Sequence, residues 1–253
     1  MGSPVLKVEN VTVNFDGFKA LDRLNYELHH GELHSVIGPN GAGKTTLLDV
    51  ISGKVKPAQG KVRFYLHNDI SQSLEHQIVR LGIARKFQTP SIFPNLSVYA
   101  NLELASGYRD RTIKLLRPLS KSCREKIKEI MNLVNLYQKS DLPAGALAHG
   151  EKQWLEIAML LTQKPRVLLL DEPVAGMTKK ERKLTGNLLQ SICMDMSVVV
   201  VEHDMEFVRE FATKVTVLHE GRLLCEGSTF EVQQNQQVIE AYLGRSVKKR
   251  TVA

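Results

Sequence analysis

The sequence predicts an α/β fold in which a mostly parallel sheet carries helices on both faces. Short apolar runs of the kind found in buried parallel strands recur at residues 34–37, 167–170 and 197–201. Segments with the apolar spacing of amphipathic helices lie between such runs, as at residues 179–193. Strands that alternate with helices indicate a parallel sheet, because each parallel crossover needs a connection about as long as a helix.

The most informative stretch joins the first of these strands to a helix predicted from residue 46. It fits the P-loop pattern and consists of Gly38, Pro39, Asn40, Gly41, Ala42, Gly43, Lys44, Thr45 and Thr46. The glycines leave backbone N–H groups bare so that they can converge on a polyphosphate, and the helix N-terminus adds a favourable dipole. We expect Lys44 to reach the β- and γ-phosphates and the Thr45 hydroxyl to ligate Mg²⁺. A glycine-rich turn that binds nothing is the alternative, and the strand–loop–helix context argues against it.

Composition and charge restrict the class of protein. The chain has 253 residues with 43% hydrophobic and 24% charged side chains, which is typical of a globular protein with a sizeable core. The net charge of +7 lies partly in a basic tail that contains Lys248, Lys249 and Arg250. No aromatic residues interleave with a basic stripe, so a solvated basic surface is favoured over a nucleic-acid or anionic-membrane surface. We expect no nucleic-acid partner.

The cysteines and the apolar runs bear on the location of the chain. Cys123, Cys193 and Cys225 are scattered and form no CxxC pair, which favours reduced thiols over disulfides or a zinc site. No apolar run approaches the roughly 20 residues that a membrane-spanning helix needs, and the N-terminus lacks the apolar region of a secretory signal. If the protein works at a membrane, other subunits must span it.

The remaining elements fall into two strand-rich parts and a helical block. Alternating apolar residues predict a strand over residues 5–15, and a turn at Asp16-Gly17 leads to a second strand over residues 20–28. Shorter strands are predicted at residues 61–65 and 83–88. Residues 91–164 are mostly helical, and we interpret them as a subdomain inserted between core segments 1–90 and 165–245, with 246–253 as the basic tail. A single continuous α/β core is the alternative.

Polar residues follow several of the buried strands. Asp171 and Glu172 come directly after the strand at residues 167–170, and His203 follows the strand at 197–201. In open α/β sheets ligands bind beyond the carboxyl ends of the strands. We expect Asp171 to hold the Mg²⁺ shell, Glu172 to polarise the attacking water and His203 to reach the γ-phosphate. Gln88 is a candidate to touch Mg²⁺ or the water. Taken singly, an Asp-Glu pair that caps a strand, a structural histidine and a surface glutamine are the alternatives.

These motifs, together with one more, resemble a known family. The P-loop, Gln88, a signature-like element, Asp171-Glu172 and His203 follow each other as in the ATP-binding subunits of ABC transporters, over residues 5 to 243. The signature-like element consists of Leu147, Ala148, His149, Gly150 and Glu151. The resemblance implies one P-loop NTPase core of the ABC ATPase type, with an inserted helical subdomain and an antiparallel β part at the N-terminus.

The resemblance also implies roles and partners. Two such subunits would meet head to tail over two ATP molecules, so that the signature of one faces the ATP of the other. Gln88 would be the Q-loop glutamine that senses membrane subunits, Glu172 the catalytic base and His203 the switch histidine. Phe15 matches the aromatic residue that stacks on adenine. Phe18 is a rival for that role, and Phe15 could equally be a strand core residue.

The implied function is ATP hydrolysis that energises uptake of a small polar solute, with ATP and Mg²⁺ bound. The implied partners are a second ATPase subunit, identical or different, two membrane permeases and, indirectly, a solute-binding protein. The subunit would lie in the cytoplasm, peripherally on the inner face of the cell membrane. A soluble ABC-type ATPase that acts on nucleic acid or the ribosome, a regulator that does not hydrolyse ATP, and an unrelated P-loop kinase are the competing hypotheses.

Further residues indicate which solute is transported, and two positions differ from the usual motifs of the family. Residues 154–158, 173–178 and 201–205 resemble the importers of branched-chain amino acids and urea, and they are most similar to the urea importer. The solute is therefore predicted to be urea or a short amide, with branched-chain amino acids as the alternative. Ala148 stands where the family usually has a serine whose hydroxyl touches the partner's ATP. Thr178 stands where the D-loop usually ends in Asp.

Overall fold

A computed structural model describes residues 3–86, 92–107 and 120–241. In chain order the strands are β1 (Leu6–Phe15), β2 (Phe18–Leu28), β3 (Leu33–Ile37), β4 (Gln59–Phe64), β5 (Asn68–Asp69), β6 (Ile83–Lys86), β7 (Val167–Asp171), β8 (Ser197–Val201), β9 (Lys214–His219) and β10 (Arg222–Gly227). The helices are α1 (Lys44–Ile51), α2 (Glu75–Leu81), α3 (Val98–Ser106), α4 (Lys121–Leu133), α5 (His149–Thr162), α6 (Lys179–Ile192), α7 (Met205–Phe211) and α8 (Thr229–Gln234). Short 3₁₀ turns at Tyr137–Lys139 and Ala144–Ala146 precede α5.

The N-terminal part forms an antiparallel sheet, as the alternation of apolar residues predicts. Its strand order is β2-β1-β4-β5. Asp16 and Gly17 have φ values of 47° and 88°, and such left-handed pairs match the twist of a two-residue hairpin. This tight turn pairs Phe15 with Phe18, so β2 begins two residues before the predicted Ala20.

The second sheet has the order β10-β9-β3-β8-β7-β6. All of its strands except β10 run parallel to their neighbours, which confirms the predicted fold class. Every residue of β3, β7 and β8 is buried, so these strands form the centre of the protein. Because β3, β8 and β7 are neighbours and parallel, the segments that follow them emerge side by side at one edge of the sheet.

Helices cover both faces of this sheet. The apolar side chains of α1 pack with the antiparallel sheet in one core cluster, which includes Leu47, Leu48 and Ile51. Those of α3 to α7 pack in a second cluster against the opposite face, which includes Trp154 and Leu155 of α5. Alternate residues of β7 and β8 contribute to the two clusters, as expected of strands buried on both faces.

Most predicted elements are present, and the differences have local causes. Helix α5 begins at His149 rather than Glu151, because Glu151 accepts a hydrogen bond from the Ala148 N–H and closes the first turn. The prediction missed β5, which has two residues, and α8, which Ser228 caps by accepting from the Glu231 N–H. Across the described ranges no helix is both long and apolar enough to span a bilayer.

Candidate nucleotide site

The P-loop follows β3 and wraps around the N-terminus of α1. Gly38 has φ 150°, and a Cβ on it would collide with the carbonyl oxygen of Leu218. Gly43 has φ 98°, and a Cβ there would lie 2.7 Å from the carbonyl oxygen of Ala20. The fold therefore requires glycine at both positions. The convergence of the loop N–H groups on a polyphosphate stays a prediction.

Lys44 is the first residue of α1, and its side chain bends back over the loop. Its ammonium donates to the carbonyl oxygens of Gly38 at 2.8 Å and Pro39 at 3.1 Å. The positive charge is thereby held directly above the loop. Together with the N-terminal end of the helix dipole, this arrangement suits a polyphosphate.

Asp171 ends β7 and lies next to the start of α1. Its carboxylate is buried and accepts a hydrogen bond from the Thr45 hydroxyl. Burial raises the pKa of Asp171, and the Thr45 hydrogen bond and the nearby Arg85 guanidinium oppose that shift. A hydroxyl and a carboxylate are oxygen ligands of the type that Mg²⁺ takes, with phosphate oxygens and water completing its shell. Within the described ranges no three His, Cys, Asp or Glu side chains form a metal-binding group by themselves.

Glu172 and His203 face each other at the neighbouring strand ends. The His203 Nδ1 lies 3.6 Å from Glu172 Oε1, and the two side chains are 67% and 45% exposed respectively. Glu172 has φ 50°, an uncommon value for a residue with a side chain, and its N–H donates to the Val201 carbonyl oxygen at 2.9 Å. This pair is open to water beside the P-loop, which is where the sequence predicted a base and a histidine.

Glu202 is a site residue that the sequence interpretation missed. It is 1% exposed, and its two carboxylate oxygens accept from the Val174 N–H at 3.1 Å and the His203 N–H at 3.2 Å. Burial raises the pKa of Glu202, and its backbone hydrogen bonds oppose that shift. The carboxylate ties the segment after Glu172 to the histidine. The available signal was a charged residue directly after a strand that ends in four valines.

The signature-like element holds the same segment from the other side. His149 Nε2 lies 3.1 Å from the Ala175 carbonyl oxygen, and the Gln153 side-chain amide donates to that oxygen at 3.1 Å. Ala148 occupies the N-cap position of α5 without a hydroxyl. The other departure has a local reason, because Thr178 Oγ1 caps α6 by accepting from the Glu181 N–H.

The remaining predicted site residues are the two aromatic candidates for adenine binding and Gln88. Phe15 and Phe18 are 46% and 63% exposed, so Phe15 is not a strand core residue, and the choice between them as adenine platform stays a prediction. Gln88 and the basic tail at 246–253 lie outside the described residues. The structure thus joins Lys44 to the P-loop, Thr45 to Asp171, and Glu172 to His203.

Comparison with known proteins identifies the family. A family profile described as ABC transporter matches residues 21–175 of the chain. A second one, described as branched-chain amino acid ATP-binding cassette transporter, matches residues 222–248. The chain belongs to the ABC transporter family and is one of its ATP-binding subunits.

Individual relatives carry more particular names. The chain is 33% identical to the high-affinity branched-chain amino acid transport ATP-binding protein BraF of Pseudomonas aeruginosa, over 97% of this chain and 100% of that protein. It is 31% identical to the LivG protein of Escherichia coli, which has the same description, with the same coverage. Among solved structures, MJ1267, an ATP-binding cassette of an ABC transporter in its ADP conformation, superposes with a TM-score of 0.85 at 28% identity, covering 96% of this chain and 100% of that one.

The family match and the relatives also define the activity of the chain. The chain is the ATPase subunit of an ABC importer, and it couples ATP hydrolysis to transport. The P-loop NTPase core of the ABC ATPase type that the motifs implied is confirmed.

Proposed function

We propose that the chain energises an importer of branched-chain amino acids. The observation that carries this proposal is the match of residues 222–248 to the branched-chain amino acid profile, which extends over β10 and α8. The full-length similarity to BraF and LivG supports it. The predicted solute, urea or a short amide, has no support in these comparisons, so the alternative that the sequence left open fits better.

We propose the following division of labour for hydrolysis. The P-loop N–H groups and Lys44 hold the β- and γ-phosphates, because they form a bare, positively charged cradle at a helix N-terminus. Glu172 accepts a proton from the attacking water, since it is the exposed carboxylate beside the cradle. His203, 3.6 Å from Glu172, orients that carboxylate and donates to the γ-phosphate. Phe15, or Phe18 beside it, stacks on adenine, and Gln88 completes the site.

Mg²⁺ is proposed as the metal, and it would neutralise charge on the phosphates. Thr45 and Asp171 would hold it, with Gln88 as a further ligand. The buried position of Asp171 keeps its carboxylate directed at Thr45, so the two ligands are oriented before nucleotide binds.

The partners are proposed on the same basis. Leu147 to Glu151 would contact the ATP of a second ATPase subunit, identical or different. Residues 91–164 would form the helical subdomain that meets two membrane permeases, and a solute-binding protein would deliver the solute to them. The chain would then lie peripherally on the inner face of the membrane. In this proposal segments 1–90 and 165–245 together form the nucleotide-binding core, and the helical subdomain is inserted between them.

The test is purification of the chain with its partners, followed by a binding measurement on the solute-binding protein that accompanies them. We expect micromolar or tighter binding of leucine, isoleucine or valine and none of urea by calorimetry. Binding of urea alone would overturn the solute assignment and restore the sequence prediction. Absence of permeases from the purified complex would contradict the proposed partners.

A further inference from the structure

A buried histidine lies where the antiparallel sheet packs on the second sheet. His34 is the second residue of β3, its side chain is 0% exposed, and the centre of its ring lies 4.8 Å from that of Tyr26 on β2. Strand β3 leads into the P-loop, and the Gly221 N–H, between β9 and β10, donates to the Ala42 carbonyl oxygen of that loop at 3.1 Å. The histidine therefore belongs to the strands that support the candidate nucleotide site, at the other end of β3.

Hydrogen bonds connect the ring of His34 to the outermost strand of this sheet. Its Nε2 lies 2.8 Å from Thr216 Oγ1 on β9, and the Thr216 hydroxyl donates to Glu226 Oε2 on β10 at 2.9 Å. Lys214 Nζ lies 2.5 Å from the other oxygen of Glu226. Because an ionised carboxylate only accepts hydrogen bonds, the single hydroxyl proton of Thr216 is directed to Glu226. The imidazole must then donate to Thr216, so neutral His34 carries its proton on Nε2.

The other ring nitrogen of His34 faces a carboxylate. Its Nδ1 lies 3.4 Å from Glu32 Oε2, an oxygen that also accepts from the His29 N–H at 2.9 Å. When the imidazole proton is on Nε2, both Nδ1 and Oε2 are acceptors, so this contact becomes a hydrogen bond only after a further proton is bound. The geometry therefore makes Nδ1 the atom that takes up a proton, with Glu32 placed to pair with the imidazolium.

We propose that His34 makes the contact between the two sheets pH-sensitive. As the pH falls below neutrality His34 takes up a proton at Nδ1, and the buried charge weakens the packing of β2 on β3. The packing weakens because the imidazolium is removed from water, and its attraction to Glu32 offsets only part of that cost.

The groups around the ring determine when the proton is bound. The charged ones are Glu32 before β3, Lys214 on β9 and Glu226 on β10, and the Tyr26 ring packs against His34 from β2. Burial lowers the pKa of His34 below its ordinary value, and the two carboxylates oppose this shift while Lys214 adds to it. Between the lowered pKa and 6.5, the ordinary value, the unfolded chain binds more protons than the folded chain. The free energy of unfolding therefore falls as the pH decreases through this range.

The first experiment is a denaturant titration of the purified chain at about pH 7.5 and about pH 5, which bracket the ordinary histidine pKa. The protonation of His34 should raise the unfolding constant about tenfold for every pH unit that separates its pKa from 6.5. In His34→Gln the side-chain amide can still donate to Thr216, but it cannot bind the proton. This variant should therefore lack that part of the rise.

The second experiment is nitrogen NMR of the histidine rings over the same pH range. Neutral His34 should show the proton on Nε2, and acid should protonate Nδ1, which a role in packing alone would not require. Glu32→Gln removes the facing carboxylate, so the titration of His34 should move to lower pH. Glu32 is partly exposed, and this variant covers the case in which His34→Gln does not fold.

The matched control is His30→Gln, at an exposed position in the turn before β3, which should keep the full rise of the parent. The inference would be overturned by an equal rise in His34→Gln and the parent, or by neutral His34 with its proton on Nδ1. It would equally be overturned if Glu32→Gln left the titration of His34 unchanged. None of these measurements involves nucleotide, so their outcome is independent of the proposed function.

Discussion

Two surfaces of this chain differ in how completely they carry the residues of their motif. On the P-loop surface at the ends of β3, β7 and β8, Lys44 contacts the loop, Thr45 contacts Asp171, and Glu172 lies beside His203. The signature surface at the start of α5 has Ala148 where the resemblance implies a serine hydroxyl. The helix start is intact without that hydroxyl, because Glu151 accepts from the Ala148 N–H and Lys139 lies 2.6 Å from Glu151 Oε1. The start of α5 can therefore be held by Glu151 without a side-chain hydroxyl at the N-cap position.

The segment between Glu172 and Thr178 joins the two surfaces. From the signature side its Ala175 carbonyl oxygen accepts from Gln153. From the P-loop side its Val174 N–H donates to the buried Glu202, whose second oxygen accepts from the His203 N–H. Single substitutions can therefore alter the P-loop surface, the signature surface or the segment between them separately.

The largest effect is expected on the P-loop surface. Glu172→Gln removes the proposed base, so ATP hydrolysis by the assembled transporter should fall about 100-fold or more while ATP binding is retained. Phosphate release and equilibrium nucleotide binding would measure the two quantities. The exposed carboxylate of Glu206 on α7 provides the control, and Glu206→Gln should keep the parent rate. A Glu172→Gln enzyme that turns over at the parent rate would show that the base lies elsewhere.

A gain is expected on the signature surface. Ala148→Ser restores the hydroxyl, and a hydrogen bond to a charged group contributes about 1.5–3 kcal/mol, so ATP-dependent association with the second ATPase subunit should tighten about 10- to 100-fold. Sedimentation with Glu172→Gln in the background would measure the association constant. The neighbouring exposed position serves as control, and Ala146→Ser should have no effect. Equal association of Ala148→Ser and the parent would mean that the two surfaces do not differ in this way.

A smaller effect is expected from loosening the joining segment. Gln153→Ala removes the amide that donates to Ala175. A neutral hydrogen bond contributes about 0.5–1.5 kcal/mol, so we expect ATP hydrolysis to fall about 2- to 10-fold with ATP affinity unchanged. Gln138→Ala, at an exposed position outside this contact, should leave the rate unaltered. Should Gln153→Ala also match the parent rate, the segment would be positioned from the P-loop side alone.

The smallest effect concerns Glu202 and pH. Its pKa in the folded chain is raised above the ordinary 4.5 by burial. At pH values between 4.5, the ordinary pKa, and the higher pKa of Glu202 in the folded chain, the folded state binds more protons than the unfolded state. The free energy of unfolding therefore falls as pH rises through this range. Compared with the parent, Glu202→Gln should lack that decline, which is on the order of 1 kcal/mol for a shift of one pKa unit. Denaturant titrations at several pH values would measure it, and identical slopes for the two proteins would contradict the assignment.

Much of the fold was predictable because its signals are local. The apolar runs of β3, β7 and β8 and the spacing of α6 are properties of short segments. The boundaries at Phe18 and His149 were less accurate, because hairpin and cap geometry add residues that periodicity does not mark. The solute was predicted from a resemblance to importers and not from residues that would bind it.

By itself the sequence determined the P-loop, the strand-end carboxylates and the missing hydroxyl at Ala148. Each of these features lies within a few consecutive residues. Gly38 and Gly43, for example, have positive φ values that glycine adopts readily. Only the tertiary structure decided that Glu202 joins the segment after Glu172 to His203, and that Lys86 pairs with Glu156. These contacts depend on which strands and helices become neighbours, and a buried carboxylate needs hydrogen-bond donors or a cation beside it because burial removes its water.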